Sequence, residues 1–133
     1  MAVVDASVIY EFLMLGDREQ AVAERLLGEQ RALWAPELLD AEVGNALRRA
    51  ARRKSIGAEQ AAEGLGELRR LPIHRVSHER LAQFAWLLRD NVSFYDGLYV
   101  ALAQLLEKPL LTLDARLARA GVDVEIEILA SSA

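Results

Sequence analysis

Four carboxylates stand at the ends of short apolar runs or near the starts of amphipathic stretches: Asp5 in Val3-Val4-Asp5-Ala6-Ser7, Glu42 in Leu39-Asp40-Ala41-Glu42-Val43, Asp96 in Phe94-Tyr95-Asp96-Gly97 and Asp114 in Leu111-Thr112-Leu113-Asp114. If the apolar runs are parallel strands, all four acids can meet at the carboxyl edge of one sheet. Carboxylates gathered in one cleft repel one another. They are tolerated there only with bound protons or with a hard, oxygen-preferring cation such as Mg²⁺ or Mn²⁺. Such a cluster points to metal-assisted chemistry.

The elements that must position these acids follow from periodicity. Ala2 to Asp5 reads as a short buried strand, followed by helices over about Ser7 to Leu15 and about Arg18 to Leu27, the second ended by Gly28. Ala32 to Ala35 reads as a second strand, and Pro36 suits the first turn of a long helix. In that helix Leu39, Val43, Ala46, Leu47 and Ala50 form an apolar stripe at helical spacing. Ala58 to Arg70 reads as a helix, Ile73 to Val76 as a strand, and Ser77 as the cap of a helix carrying Leu81, Phe84, Ala85 and Leu88. Ser93-Phe94-Tyr95-Asp96 matches a capping box and opens a helix with Leu98, Ala101, Leu102 and Leu105. Leu110 to Thr112 is a further strand, and Asp114 caps a short helix to Ala120. Val122, Val124, Ile126 and Ile128 alternate with acids, the pattern of a strand with one buried face and a charged face that discourages edge pairing. Strands alternating with helices predict an α/β fold with a mainly parallel sheet.

In such a fold, strand ends and the starts of the helices that follow them share one rim, where ligands bind as the strand order reverses. Asp5, Glu42, Asp96 and Asp114 all fall on it. Taken singly, Asp5, Asp96 and Asp114 are each explained as well by helix capping. Glu42 lies inside a helix beside its apolar stripe, where an unpaired carboxylate is costly. A salt bridge, for example to Arg49, is its ordinary explanation. Single caps do not explain why all four share one rim.

Composition narrows the classes. The chain of 133 residues is long enough for one domain spanning 1–133 with a two- or three-layer core. Cysteine is absent, which excludes disulfides and thiolate zinc sites. Neither a bilayer span nor a signal peptide is expected, and a cytoplasmic protein fits. A formal charge of −4 argues against a globally basic nucleic-acid binder and leaves room for a local basic patch.

The chain resembles the PIN domain family, and within it the VapC toxins of bacterial VapBC toxin–antitoxin pairs. The resemblance runs over essentially the whole sequence. It is carried by Val4-Asp5-Ala6-Ser7, by Ala35-Pro36-Glu37-Leu38 leading to Glu42-Val43-Gly44-Asn45-Ala46-Leu47, by Tyr95-Asp96-Gly97-Leu98-Tyr99-Val100-Ala101-Leu102-Ala103, and by Leu110-Leu111-Thr112-Leu113-Asp114-Ala115-Arg116-Leu117. The order and spacing of these pieces are more specific than any one of them. The likeness implies a three-layer α/β/α fold and Mg²⁺- or Mn²⁺-dependent cleavage of RNA. It matches all four family acids, as Asp5, Glu42, Asp96 and Asp114, and implies a homodimer inhibited by a VapB-like antitoxin. Gly97 stands where many relatives carry a small residue.

The chemistry agrees independently, because phosphodiester hydrolysis needs a deprotonated water and stabilised attacking and leaving oxygens, which carboxylate-held cations supply. Asp5, Asp96 and Asp114 are the expected direct ligands. Glu42 could bind metal, act through water or orient the nucleophile. The Ser7 and Thr112 hydroxyls could hold carboxylates or waters around them, and capping explains Ser7 nearly as well.

Arg48, Arg49, Arg52, Arg53 and Lys54 form a basic run without an intervening acid. It is either an RNA-phosphate patch or a helix C-terminus complementing its dipole. Tyr95 and Tyr99 line the cleft or pack. His74 and His78 are not expected to pair on zinc. Trp34, Trp86, Phe12, Phe84 and Phe94 are expected in the core or an interface. A phosphotransfer domain is disfavoured, because Asp5-Ala6-Ser7 lacks a second acid two residues on. A non-catalytic RNA-binding or scaffold domain is the remaining alternative.

Overall fold

β-Branched and leucine-rich runs too short for helices form the centre of the molecule. The computed structural model describes residues 1–14 and 32–129. Its strands are β1 (Ala2–Val4), β2 (Leu33–Pro36), β3 (Ile73–Val76), β4 (Leu110–Thr112) and β5 (Ile126–Ile128), all parallel in the order β3-β2-β1-β4-β5. The helices are α1 (Ala6–Met14), α2 (Leu38–Arg52), α3 (Ala58–Arg70), α4 (His78–Leu87) and α5 (Phe94–Leu106), with a 3₁₀ turn at Ala115–Arg119. Helices α1, α2 and α3 pack on one another, whereas α4 packs on α5 and α5 on β1, β2 and β4. The result is the expected α/β/α sandwich. Ala2, Val3 and Val4 are fully buried, as a central parallel strand covered on both faces must be.

Helix α5 carries a continuous buried run from Gly97 to Ala103, the signature of a helix enclosed on all sides. Its partner α4 comes close at Gly97, where an added Cβ would lie 3.2 Å from the Ala85 carbonyl oxygen. On α2 the buried residues are Leu39, Val43, Leu47 and Ala50, with Ala46 only half-buried at the stripe's edge. Asp40 and Arg75 tie the start of α2 to β3 through bonds of 2.8 and 3.1 Å, while Arg75 also donates to the Leu68 and Ile73 carbonyls.

Two boundaries differ from the sequence reading. Pro36 is the last residue of β2 and not the first turn of α2, which starts after Glu37. The β1–β2 register ends at Val3 and Trp34, so the missing Pro36 N–H falls beyond that ladder, and Glu37 N–H donates to the Val76 carbonyl instead. The last strand is confined to Ile126–Ile128, because the chain bends at Asp123 and Val124 after Gly121, which takes a φ of 73°. The expected helix over about Arg18 to Leu27 lies outside the described residues.

β1 is flanked by β2 on one side and β4 on the other, so the strand order reverses at the carboxyl ends of β1 and β4. Asp5 follows the first of these strands and Asp114 the second, one residue beyond Leu113.

Candidate active site

Asp5 is the most fixed of the acids. Its Oδ1 accepts from Ser7 N at 3.1 Å, Ser7 Oγ at 2.5 Å and Val8 N at 3.3 Å, which is also how α1 is capped. Its Oδ2 accepts from the fully buried Thr112 hydroxyl. Burial pushes the Asp5 carboxyl up to about 6, against the opposing effect of the Ser7 and Thr112 hydroxyls and the Val8 N–H. Asp5 is therefore both a cap and a desolvated acid on the rim.

The two hydroxyls act as cross-ties. Thr112 Oγ1 accepts from Asp114 N at 3.0 Å while donating to Asp5. Ser7 Oγ accepts from Leu113 N at 3.0 Å while donating to Asp5. Each hydroxyl thus uses both donor and acceptor to pin the loop after β4 to the end of β1.

Glu42 is half-buried, and its partner is the Tyr99 phenol, which donates to Oε1 at 2.6 Å, in place of the expected salt bridge to Arg49. Burial raises the Glu42 carboxyl, the Tyr99 bond lowers it, and the charge of Asp96 raises it again. Tyr99 is itself buried, and its phenol is held far above the usual range by burial and by Glu42, Asp5 and Asp96. Sequence reasoning named Tyr99 as a cleft or packing residue and missed this bond. The available signal was spacing: Tyr99 lies three residues after Asp96, on the same helical face, and a buried phenol needs an acceptor.

The Asp96 N–H donates to Ser93 Oγ at 3.1 Å, the cap that opens α5. Burial raises the Asp96 carboxyl, hydrogen bonding to Ser93 lowers it, Asp114 raises it and Arg116 lowers it. Asp114 behaves differently. Its Oδ1 accepts from Arg116 N and Nε, both at 3.0 Å, and its Oδ2 from Arg116 Nη2 at 2.8 Å. That pairing holds its carboxyl below the usual range. Asp114 thus caps the 3₁₀ turn, as expected, and also carries an ion pair that sequence reading did not anticipate.

Three of the acids are linked by charge, Asp114 acting on Asp96 and Asp96 on Glu42, while Thr112 joins the Asp5 carboxylate to the Asp114 backbone N–H. Among the described residues no three His, Cys, Asp or Glu side chains stand in metal-holding geometry. The donor chemistry nonetheless fits Mg²⁺ or Mn²⁺: the acids offer only oxygen, they repel one another, and Mg²⁺ keeps several waters and needs only one or two carboxylates.

Two separate grooves each include acids of the rim. One, of about 350 Å³, is lined by Ala6, Ser7, Tyr10, Glu42, Ala46, Arg49 and Arg53. Glu42, Ala46 and Arg49 lie on one stripe of α2 that its C-cap Arg53 continues, so these two arginines share the groove with Glu42. Arg48, Arg52 and Lys54 are exposed and do not line that groove. A second groove, of about 420 Å³, is lined by Asn91, Val92, Ser93, Asp96, Asp114, Arg116, Leu117, Arg119 and Ala120. His74 stacks on Trp34 with ring centroids 4.5 Å apart, and His78 opens α4, so the histidines do not pair. Trp34, Phe12 and Phe84 pack on the core, whereas Trp86, Phe94 and Tyr95 are exposed.

Known proteins share the sequence pattern and the fold. Residues 2–123 match the PIN domain family. Ribonuclease VapC1 of Mycobacterium tuberculosis is 47% identical over 129 residues, 96% of each chain. The crystal structure of VapBC2 from Rickettsia felis, bound to a DNA fragment from its promoter, superposes with a TM-score of 0.69 at 14% identity, covering 97% of this chain and 98% of that one. M. tuberculosis VapC20, a toxin that cleaves the sarcin–ricin loop, superposes with a TM-score of 0.67 at 18% identity, covering 92% of this chain and 97% of that one. The match over residues 2–123 and the 47% identity to VapC1 along 96% of each chain place this chain in the PIN domain family, among the VapC ribonucleases.

Proposed function

We propose that this protein is a Mg²⁺- or Mn²⁺-dependent endoribonuclease and the toxin of a toxin–antitoxin pair, with Asp5, Glu42, Asp96 and Asp114 as its active site. The observation that supports the site is the chain of charge effects from Asp114 through Asp96 to Glu42, with Thr112 bonding both the Asp5 carboxylate and the Asp114 N–H. When bound, the cation supplies a deprotonated water and neutralises charge on the attacking and leaving oxygens.

The chain's own residues do the rest. Ser7 and Thr112 immobilise Asp5, so its carboxylate reaches the rim without loss of side-chain freedom at each turnover. Tyr99 fixes Glu42 through Oε1 and leaves Oε2 outside that bond, the geometry of a carboxylate that orients or deprotonates water. Arg49 and Arg53 hold RNA phosphates beside Glu42, and Arg48, Arg52 and Lys54 extend the positive field.

The partner is a VapB-like antitoxin, and a homodimer is the expected assembly. Trp86, Leu87, Phe94 and Tyr95 are exposed and offer apolar surface for such contacts. The bidentate Arg116–Asp114 pair illustrates how an antitoxin arginine would occupy the acids. RNA cleavage of this kind belongs in the cytoplasm; among the described residues no helix is long and apolar enough to cross a membrane.

Asp96→Asn tests the site. It keeps the backbone N–H that Ser93 caps, so it should fold, and it should lose Mn²⁺-dependent cleavage of single-stranded RNA. Glu42→Gln should slow cleavage by about 100-fold or more. An Asp96→Asn protein that cuts RNA at the wild-type rate would remove the proposed active site, whereas a wild-type protein that binds RNA and never cuts it with Mn²⁺ would return the chain to a non-catalytic RNA-binding role.

A further inference from the structure

An endonuclease cuts within a chain, so its substrate leaves the site in both directions. The groove of Arg49 and Arg53 accounts for one direction only. On the other side, a strand that has passed four carboxylates on a protein of net charge −4 meets repulsion unless cations hold it there.

The second groove supplies them. Its lining includes two of the acids, Asp96 and Asp114, together with Arg116 and Arg119. Both arginines are exposed, and both act on Asp114. Arg116 engages Asp114 through Nε and Nη2, which leaves Nη1 outside the pair. The groove also holds Ser93, where the 13-residue helix α5 begins with its dipole directed at the same space. The groove is braced by Asn91, whose amide donates to the Ala120 carbonyl at 2.9 Å at the end of the turn bearing Arg119.

We propose that the groove bounded by Ser93, Arg116 and Arg119 is a second RNA-phosphate subsite, so that a single strand is held on both flanks of the carboxylates. This subsite presupposes the endoribonuclease function. Arg119 makes the phosphate contact, and Arg116 adds charge while it orders Asp114.

The test is anisotropy binding of a fluorescein-labelled, unstructured 12-nucleotide RNA in EDTA, over a range of salt, with metal-dependent cleavage of the same RNA measured alongside. Each lost phosphate contact removes about 0.7 from the slope of log K against log salt. Arg119→Gln should lower the slope by about that amount, Arg119→Lys should preserve it, and Arg119→Gln should add to Arg49→Gln/Arg53→Gln in the triple variant. Wild-type protein that binds and cuts the RNA while Arg119→Gln keeps the full slope would overturn the subsite and leave the ribonuclease reading intact. Wild-type protein that neither binds nor cuts would overturn both. Arg119 is exposed on a 3₁₀ turn, and thermal melts of both Arg119 variants confirm that the comparison is between folded proteins.

Discussion

The Thr112 hydroxyl donates a hydrogen bond to Asp5 Oδ2, joining the ends of two paired strands, β4 and β1, through one fully buried side chain. The same oxygen accepts the Asp114 N–H at 3.0 Å, so its removal orphans groups on both strands. Thr112→Val keeps the shape and deletes the hydroxyl. We expect a loss of about 1–3 kcal/mol in urea unfolding, with a large fall in cleavage, because Asp5 and Asp114 lose their common tether. Thr112→Ser should retain most of both. A Thr112→Val protein as stable and as active as wild type would mean that Thr112 merely fills space.

Asp5 also gives the stability a pH dependence with a definite sign. Its folded carboxyl is raised to about 6 from an ordinary value of 3.8, chiefly by burial. Between those values the folded state binds the proton more tightly than the unfolded chain does. Stability is therefore fully present below the ordinary value and declines as pH rises through about 6. A shift of this size corresponds to something on the order of 3 kcal/mol. Glu42 and Asp96 act in the same direction, and Asp114, whose carboxyl is lowered by Arg116, acts in the opposite one as pH falls below the ordinary range. Urea melts in EDTA from pH 4.5 to 7.5 should show this decline in wild type and a flatter profile in Asp5→Asn. Parallel profiles would show that Asp5 carries no such penalty.

Much of this was legible because periodicity and punctuation agreed. α3 and β3 fall where the pattern puts them, and Ser77 and Ser93 cap the helices that their positions announced. The shared rim followed from strand–helix alternation alone. What stayed hidden depends on side chains that meet across the fold. Glu42 and Tyr99 are 57 positions apart, and Asp5 and Thr112 are 107 apart, so local spacing could not pair them. Pro36 misled because its fixed φ suits a strand end as well as a helix start. The basic run was visible as composition, but only the position of α2 separates Arg49 and Arg53, which line the groove with Glu42, from Arg48 and Arg52.

Gly97 sets how closely α5 approaches α4. A Cβ there would stand 3.2 Å from the Ala85 carbonyl oxygen and 3.4 Å from the Ala85 Cβ, with no flexible side chain to yield. For Gly97→Ala, the helix-propensity gain of about 1 kcal/mol offsets a small backbone shift, and the change should be nearly neutral. Gly97→Val adds bulk that the interface cannot absorb and should cost about 1–3 kcal/mol. Because Asp96 is the adjacent residue, the Val variant should also lose cleavage beyond what its stability explains, read as activity at a temperature where both proteins are fully folded. Unchanged stability for Gly97→Val would show that α4 and α5 separate easily.

Asp114 has two competing roles, and metal binding separates them. It caps the 3₁₀ turn and pairs with Arg116, yet it stands on the rim with Asp96. A cation that binds only the folded cluster stabilises it by mass action, about 2.7 kcal/mol at 100 times the dissociation constant. If Asp114 is a ligand, Asp114→Asn shrinks the Mn²⁺-induced rise in melting temperature. Arg116 competes with any cation for the same carboxylate oxygens, so Arg116→Gln should enlarge that rise. The metal-free melt of Arg116→Gln should barely move, because the Arg116 side chain is 83% exposed and such pairs contribute little to stability. The two variants thus move the metal shift in opposite directions from wild type. Identical shifts in all three proteins would leave Asp114 a cap alone and confine the metal to Asp5, Glu42 and Asp96.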